Sequence, residues 1–254
     1  MNTDLEDISY FRNFISKRFI AGEGIEIGAL HSPLTMFNDA KVRYVDRLGT
    51  EELKMHYPEL QGARLVEPDI IDDGEMLFEI KNDTLDFVVA NHMLEHCENP
   101  LGAVRSHINK LKTGGVCFYS VPDKRYSFDR SREKTDFNHL MRDDKFGPES
   151  SRKQHYEEWV EKVCKITFVD NGVEKFKWHE GLKDLLRNHK IESLNSGQLR
   201  DILDEMNYSI HFHVWDHNSF LDFIVKAREY LDYIYSIECF VQNQSEIIIL
   251  LRKH

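Results

Sequence analysis

Four short stretches place a carboxylate, a glycine or a histidine at the end of an apolar run, where a buried strand would deliver it to a ligand. The first is Gly24-Ile25-Glu26-Ile27-Gly28-Ala29. Gly28 permits a tight turn and lets a ligand approach the main chain. Glu26 can hold an ammonium group through charge-assisted hydrogen bonds, each worth about 1.5–3 kcal/mol. The second is Tyr44-Val45-Asp46-Arg47, whose acid lies 18 residues beyond Gly28. A carboxylate at such a strand end reaches the hydroxyls of a ribose. The third, Asp69-Ile70-Ile71-Asp72-Asp73, offers an acceptor for the exocyclic amine of adenine, Asp73 first and Asp72 next. The fourth runs from Asp86 to His96. Its apolar strand ends in Asn91-His92 and then turns into a short helix, so polar groups face the crevice at a central strand's carboxyl end.

Two other chemistries are weaker on the same residues. His92 and His96 are four apart, share a helix face in this reading and flank Glu95. A third and fourth ligand have no evident source, and the order is not His-Glu-x-x-His, so no metal is expected. A pyrophosphate-binding G-x-G-x-x-G turn would need glycine where Leu30 and Pro33 stand, which weighs against a nicotinamide cofactor.

The elements that must carry these motifs alternate. Strands are expected near Gly24–Gly28, Val42–Asp46, Arg64–Ile71, Leu85–Asn91 and Val116–Val121, with helices at Glu51–His56 and Leu101–Leu111. That alternation is the pattern of a parallel sheet with helical crossovers. Tyr233–Gln242 and Glu246–Leu251 are separated by only three residues, enough for an antiparallel hairpin but not for a crossover. Residues 127–207 form a charged insertion with few strand signals and amphipathic helices at Glu157–Ile166 and Leu199–Met206. No linker marks it as an independent domain, so residues 1–254 are expected to form one domain with this insertion as a lid over the active site.

The bulk numbers narrow the function classes. A net charge of −11 on 254 residues argues against nucleic acid, whose binders carry a basic stripe. No run approaches the roughly 20 apolar residues of a membrane span. The acidic, polar start lacks the features of a secretory signal, which makes the cytoplasm the expected location. Four scattered cysteines, none in a CxxC pair, read as structural thiols. The apolar helix expected over Phe220–Tyr235 has either a core face or a homodimer face.

Taken in order, Glu26-Ile-Gly-Ala-Leu-His, Tyr-Val-Asp46-Arg, Asp-Ile-Ile-Asp-Asp73, Asn91-His-Met-Leu-Glu-His96 and Val121-Pro-Asp-Lys-Arg-Tyr126 resemble the class I S-adenosylmethionine (SAM)-dependent methyltransferases of the type 11 kind. The resemblance is closest to a bacterial branch associated with surface-polysaccharide and glycosyltransferase gene products. It covers about residues 20–145 and resumes at Phe212-His213-Val214-Trp215 and the terminal hairpin. It implies a Rossmann-like α/β fold: a seven-stranded, mostly parallel sheet with a C-terminal antiparallel hairpin and a helical insertion. It also implies SAM as cofactor and its demethylated product. Glu26, Gly28 and Ala29 would then face the methionine part, Asp46 and Arg47 the ribose, and Asp72 and Asp73 the adenine. Asn91 and His92 would line the floor by the sulfonium. Leu30 and Ser32 replace the usual second and third glycines of the first motif.

Methyl transfer from a sulfonium is an in-line displacement that needs placement and exclusion of water. A hydroxyl acceptor gains from a general base, for which His92, His139, His211 and His213 are the candidates, with Asp123 as a carboxylate alternative; His139 and His211 are also expected to bind the acceptor. The resemblance favours His213, because the segment before the last helix borders the family's acceptor pocket. Lys124, Arg125 and Tyr126 follow the fifth strand and are expected to bind a phosphate or carboxylate on the acceptor. The expected reaction is O-methylation of a sugar hydroxyl or phosphate-type group on a capsule or O-antigen precursor, supplied as a small-molecule, nucleotide- or glycan-linked acceptor. A small-molecule N-methyltransferase and a non-catalytic SAM-binding module are the alternatives.

Overall fold

The computed structural model describes residues 8–60, 62–170, 173–179, 182–186, 189 and 191–254. Helix α1 (Ser9–Phe19) leads into β1 (Glu23–Ile27), β2 (Lys41–Asp46), α2 (Thr50–His56), β3 (Ile70–Ile71), β4 (Leu85–Asn91), α3 (Pro100–Lys110) and β5 (Leu111–Pro122). The insertion holds α4 (Phe137–Phe146), α5 (Glu149–Lys162), β6 (Lys165–Asp170), β7 (Val173–Trp178), α6 (Leu182–Leu185) and α7 (Ser196–Glu205). Helix α8 (His217–Tyr230) and the hairpin β8 (Tyr235–Asn243) and β9 (Glu246–Lys253) close the chain. Among the described residues, seven strands form one sheet in the order β3-β2-β1-β4-β5-β9-β8. The first five are parallel, and β9 runs antiparallel to both β5 and β8. This is the Rossmann-like methyltransferase sheet expected from the sequence.

Both faces of the sheet are covered, which is why the central strands read as continuous apolar runs. Val88, Ala90, Cys117, Tyr119, Ile247 and Ile249 pack with Leu101 and Val104 of α3 and Phe220, Phe223 and Ile224 of α8. On the opposite face Phe87, Val89, Phe118, Ile248 and Leu250 pack with Ile15 of α1. A Cβ on Gly24 would stand 2.3 Å from the Phe87 carbonyl oxygen, so β1 and β4 approach as they do only with glycine there. The apolar face of α8 is thus a core face, which accounts for its composition without a second subunit.

Three expectations need correction. The strand at Arg64–Ile71 shrinks to Ile70–Ile71. Pro68 lacks a donor, and the Asp69 carboxylate takes the Tyr44 N–H at 2.7 Å, where a paired strand would have bonded it. In the insertion, the helix expected at Glu157–Ile166 begins earlier, at Glu149, and ends at Lys162. Ile166 instead belongs to β6, which pairs antiparallel with β7 in a two-stranded sheet that the sequence reading lacked. The Asn-Gly pair at 171–172 was its hairpin signal. Finally, His92 has a left-handed φ of 50° outside any helix, and only Leu94–His96 form a 3-10 turn. The two histidines therefore share no helix face.

The insertion has its own core, built from Tyr156, Trp159, Val160, Leu199, Leu203 and Phe212. Helices α5 and α7 supply most of it, and the extended segment before α8 ties it back to the sheet.

Candidate active site

A cavity of about 630 Å³ opens at the carboxyl ends of β1, β2, β3 and β4. The strand order reverses between β1 and β4, and sheets of this kind bind ligands in the crevice at such a reversal. Gly28, Asp46, Arg47, Asp72, Asp73 and His92 all line it. The sequence-based site residues drawn from four separate strand ends therefore meet at one place.

Gly28 has φ +65°, and a Cβ placed there would meet no atom within 4 Å. Its main chain forms a bare wall. Asp46 caps the β2 end by accepting the Arg47 N–H at 2.8 Å, and burial raises its pKa from its ordinary value. The Arg47 guanidinium lies against the His56 ring, whose pKa burial and this cation push down to about 4. Asp72 spends both oxygens on the loop that follows, accepting the N–H groups of Asp73, Phe78 and Glu79. Asp73 accepts from Glu75 and Met76 with one oxygen, so the other remains available at the cavity wall.

Glu26 and Asn91 are placed differently from expectation. Neither lines the cavity. The Glu26 carboxylate is fully buried and accepts the Leu34 N–H at 2.9 and 3.1 Å and the Asn91 side-chain amide at 3.2 Å. Burial, only partly offset by these bonds, pushes its pKa up to about 7. Asn91 also accepts the Ser120 hydroxyl at 2.8 Å. Together they anchor the turn after β1. Ala29 sits within that turn and donates no side-chain contact to the cavity wall.

His92 and His96 both line the cavity; His96 Nδ1 is turned to the Ile210 carbonyl at 2.9 Å, whereas His92 is held by two carboxylates. The His92 side chain is 41% exposed, and Nε2 lies 2.9 Å from Glu246 Oε2. Nδ1 lies 3.5 Å from the fully buried Glu95 carboxylate. Burial opposes charging of the ring, but the bond to Glu246 and the charges of Glu95 and Glu246 outweigh it and raise its pKa. Glu246 is held in turn by Asn243 Nδ2 at 2.6 Å and Arg12 Nε at 2.9 Å. Burial acts against the Glu246 charge, yet His92 and Arg12 bring its pKa down to about 2. The left-handed backbone at His92 costs about 1–2 kcal/mol, and strain of this kind concentrates at functional sites.

The remaining candidates lie elsewhere. Asp123 is buried and paired with Arg125, whose guanidinium also donates to Gln242 at 3.1 Å. Lys124 donates to the Arg132 carbonyl, and Tyr126 is exposed beyond it. None of the four lines the cavity, because the chain bends away from the strand end and satisfies their charges internally. His213 is fully buried behind the Glu98–Phe212 wall, with its Nε2 3.3 Å from the Glu98 carbonyl. Burial lowers its pKa well below the ordinary histidine value. His211 is committed to Asp129 at 2.5 Å, and His139 faces His155 and Asp143.

The sequence reading missed the partners that complete the cavity. Glu75 lines it and accepts the Glu98 and Asn99 N–H groups, while burial pushes its pKa up to about 7. Tyr57, Glu98, Tyr208, Ser209 and Phe212 close its sides. The one clue in the sequence was Glu246, a lone acid opening the apolar run Ile247–Leu251. A charge buried there needs partners, and Arg12 and His92 are those partners.

No helix among the described residues is long and apolar enough to cross a membrane. No curated protein matches the chain. Solved structures of similar topology include a SAM-dependent methyltransferase from Mesorhizobium loti, at 10% identity and TM-score 0.45, covering 96% of each chain. Another is a SAM-dependent methyltransferase from Aquifex aeolicus, at 9% identity and TM-score 0.46, covering 97% of this chain and 92% of that one. A family model described as a methyltransferase domain matches residues 11–211. The match spans most of the chain and contains the β1–β5 half of the sheet with its cavity, so the protein belongs to the methyltransferase-domain family and is a SAM-dependent methyltransferase.

Proposed function

We propose that the cavity holds SAM with its ribose on Asp46 and its adenine toward Asp73, and that His92 serves the acceptor side. The observation that carries this reading is the convergence of Gly28, Asp46, Asp73 and His92 on one cavity. The donor set fits the ligand. Ribose hydroxyls and the adenine amine donate hydrogen bonds, and the cavity offers carboxylates to accept them. A volume of about 630 Å³ lies within the usual range for small-molecule sites. Bound there, the cofactor supplies a methyl group activated by its sulfonium.

The chain's own residues then divide the work. Gly28 lets the main chain approach the ligand. Asp46 orients the ribose. Glu26 holds the turn after β1 rather than touching the ligand. His92, its ring nitrogens turned to Glu246 and Glu95, presents a fixed polar edge that positions the acceptor. Tyr208, Ser209 and Phe212 cover the cavity and exclude water. The acceptor is a hydroxyl-bearing small molecule or glycan precursor; the sequence resemblance to the surface-polysaccharide branch supports a sugar hydroxyl, with capsule or O-antigen assembly as the setting.

Calorimetric titration of SAM and its demethylated product into wild type and Asp46→Ala tests the cofactor placement. Wild type is expected to bind in the micromolar range, and loss of two charge-assisted bonds at about 1.5–3 kcal/mol each predicts at least a hundredfold weaker binding in the variant. Equal affinity for both proteins would remove Asp46 from the site.

A further inference from the structure

Away from the cavity, His139, Asp143, His155 and His213 bring four ligand atoms within 4.8 Å of one another. They come from three segments: His139 and Asp143 from successive turns of α4, His155 from α5, and His213 from the extended run before α8. We infer that these four side chains form a closed, structural binding site for a zinc-type divalent ion, which pins the insertion to the main sheet.

Four details support a metal over an ordinary polar cluster. Fully buried His213 has an Nδ1 with no hydrogen-bond partner. Its Nε2 faces the Glu98 carbonyl at 3.3 Å. A ring that donates through one nitrogen to a carbonyl presents the other as a bare lone pair, which is the usual arrangement of a zinc-ligating histidine. Asp143 is equally buried, and its Oδ2 also lacks a hydrogen-bond partner. That oxygen points at His139 Nε2, 3.2 Å away. Finally, His139 Nε2 and His155 Nε2 face each other at 3.0 Å. Two imidazole nitrogens can share one proton in that geometry, but the same pair with a carboxylate and a third bare nitrogen forms a ready donor set for a cation.

The donor set selects the ion. Three imidazole nitrogens and one carboxylate oxygen suit zinc and its neighbours rather than calcium or magnesium, which take oxygen ligands. Zinc bonds of about 2.0–2.1 Å in a tetrahedron set ligand atoms about 3.4 Å apart, so the present spacing closes with side-chain adjustments alone. All four positions are taken by protein, the mark of a structural site; a catalytic one keeps a position open. The consequence reaches the cavity, because Glu98 and Phe212, which flank His213, line it. His155 packs edge-on against Phe212, with ring centroids 5.7 Å apart.

The test uses the full chain, purified from zinc-supplemented culture without a histidine tag. Elemental analysis should find one zinc per chain. The metal-free protein should take up one equivalent of Co²⁺ with the strong visible absorption of a tetrahedral site. His139→Gln, which removes a partly exposed ligand, and Asp143→Asn, which keeps the shape, should each lose that band while retaining the far-ultraviolet dichroism of wild type. Chelation should lower the melting temperature of wild type and leave the two variants unmoved. Wild type that holds no zinc and develops no cobalt band would overturn the inference. So would a folded His139→Gln protein that binds the metal as wild type does, since the ion would then sit elsewhere.

Discussion

Replacing Glu246 by Gln tests whether the buried carboxylate sets the charge state of His92. In the native protein Glu246 is fully buried, 2.9 Å from His92 Nε2 and in contact with Arg12 and Asn243. Burial alone would keep the His92 ring neutral, and the bond to Glu246, with the charges of Glu95 and Glu246, is what raises its pKa. A hydrogen bond to a charged partner is worth about 1.5–3 kcal/mol, and one between neutral partners about 0.5–1.5 kcal/mol. Glutamine keeps an acceptor but loses the charge, a difference of about 1–1.5 kcal/mol, which corresponds to about one pKa unit. Arg12, no longer neutralised, pushes in the same direction. The His92 pKa is therefore expected to fall by about one unit or more. The assay is an NMR titration of the His92 ring protons, assigned by comparison with His92→Gln; it needs no acceptor. A His92 pKa unchanged to within a few tenths in a folded Glu246→Gln protein would refute the reasoning and detach the hairpin from the site.

Other outcomes follow from the same contacts. Glu26, with its pKa pushed up to about 7, binds a proton in the folded state that the unfolded chain releases near 4.5. Folded protein thus binds more protons between those values, and its contribution to stability falls as pH rises through that window. Glu26→Gln should flatten the decline by up to about 3 kcal/mol, read by urea unfolding at pH 4.5 and 7.5; a slope equal to wild type would show that Glu26 is charged throughout. Glu75, raised in the same direction, leaves part of the slope in place. Gly28→Ala places a methyl at a left-handed φ, costing about 1–2 kcal/mol of stability, and sets it in open space on the cavity wall. SAM affinity should fall by more than tenfold, and unchanged binding in calorimetry would place the ligand away from the β1 turn. His213→Gln should not lower turnover in proportion to a lost base, since the ring is buried outside the cavity; a loss of the 10²–10⁴-fold usual for a general base, with structure and metal content intact, would restore His213 as the catalytic group.

The strand ends and their cargo were legible in the sequence because each is local. An apolar run buried on both faces announces a central strand, and the residue that ends it must face the crevice, so Gly28, Asp46, Asp73 and His92 could be placed before any coordinates. The terminal hairpin followed from loop length alone. Folding decided the rest, because it depends on contacts between residues far apart in the chain. Glu26 and Asn91 looked like ligand contacts, but their nearest hydrogen-bond partners, Leu34 and Ser120, lie close enough to consume them. His213 read as a base from its position before α8, and tertiary packing buried it against His139 and His155. The Arg12–Glu246–His92 network joins the first helix, the last strand and the middle of the sheet. No spacing rule spans such separations; whether a side chain meets water, a ligand or a distant partner is set by how the layers close on one another.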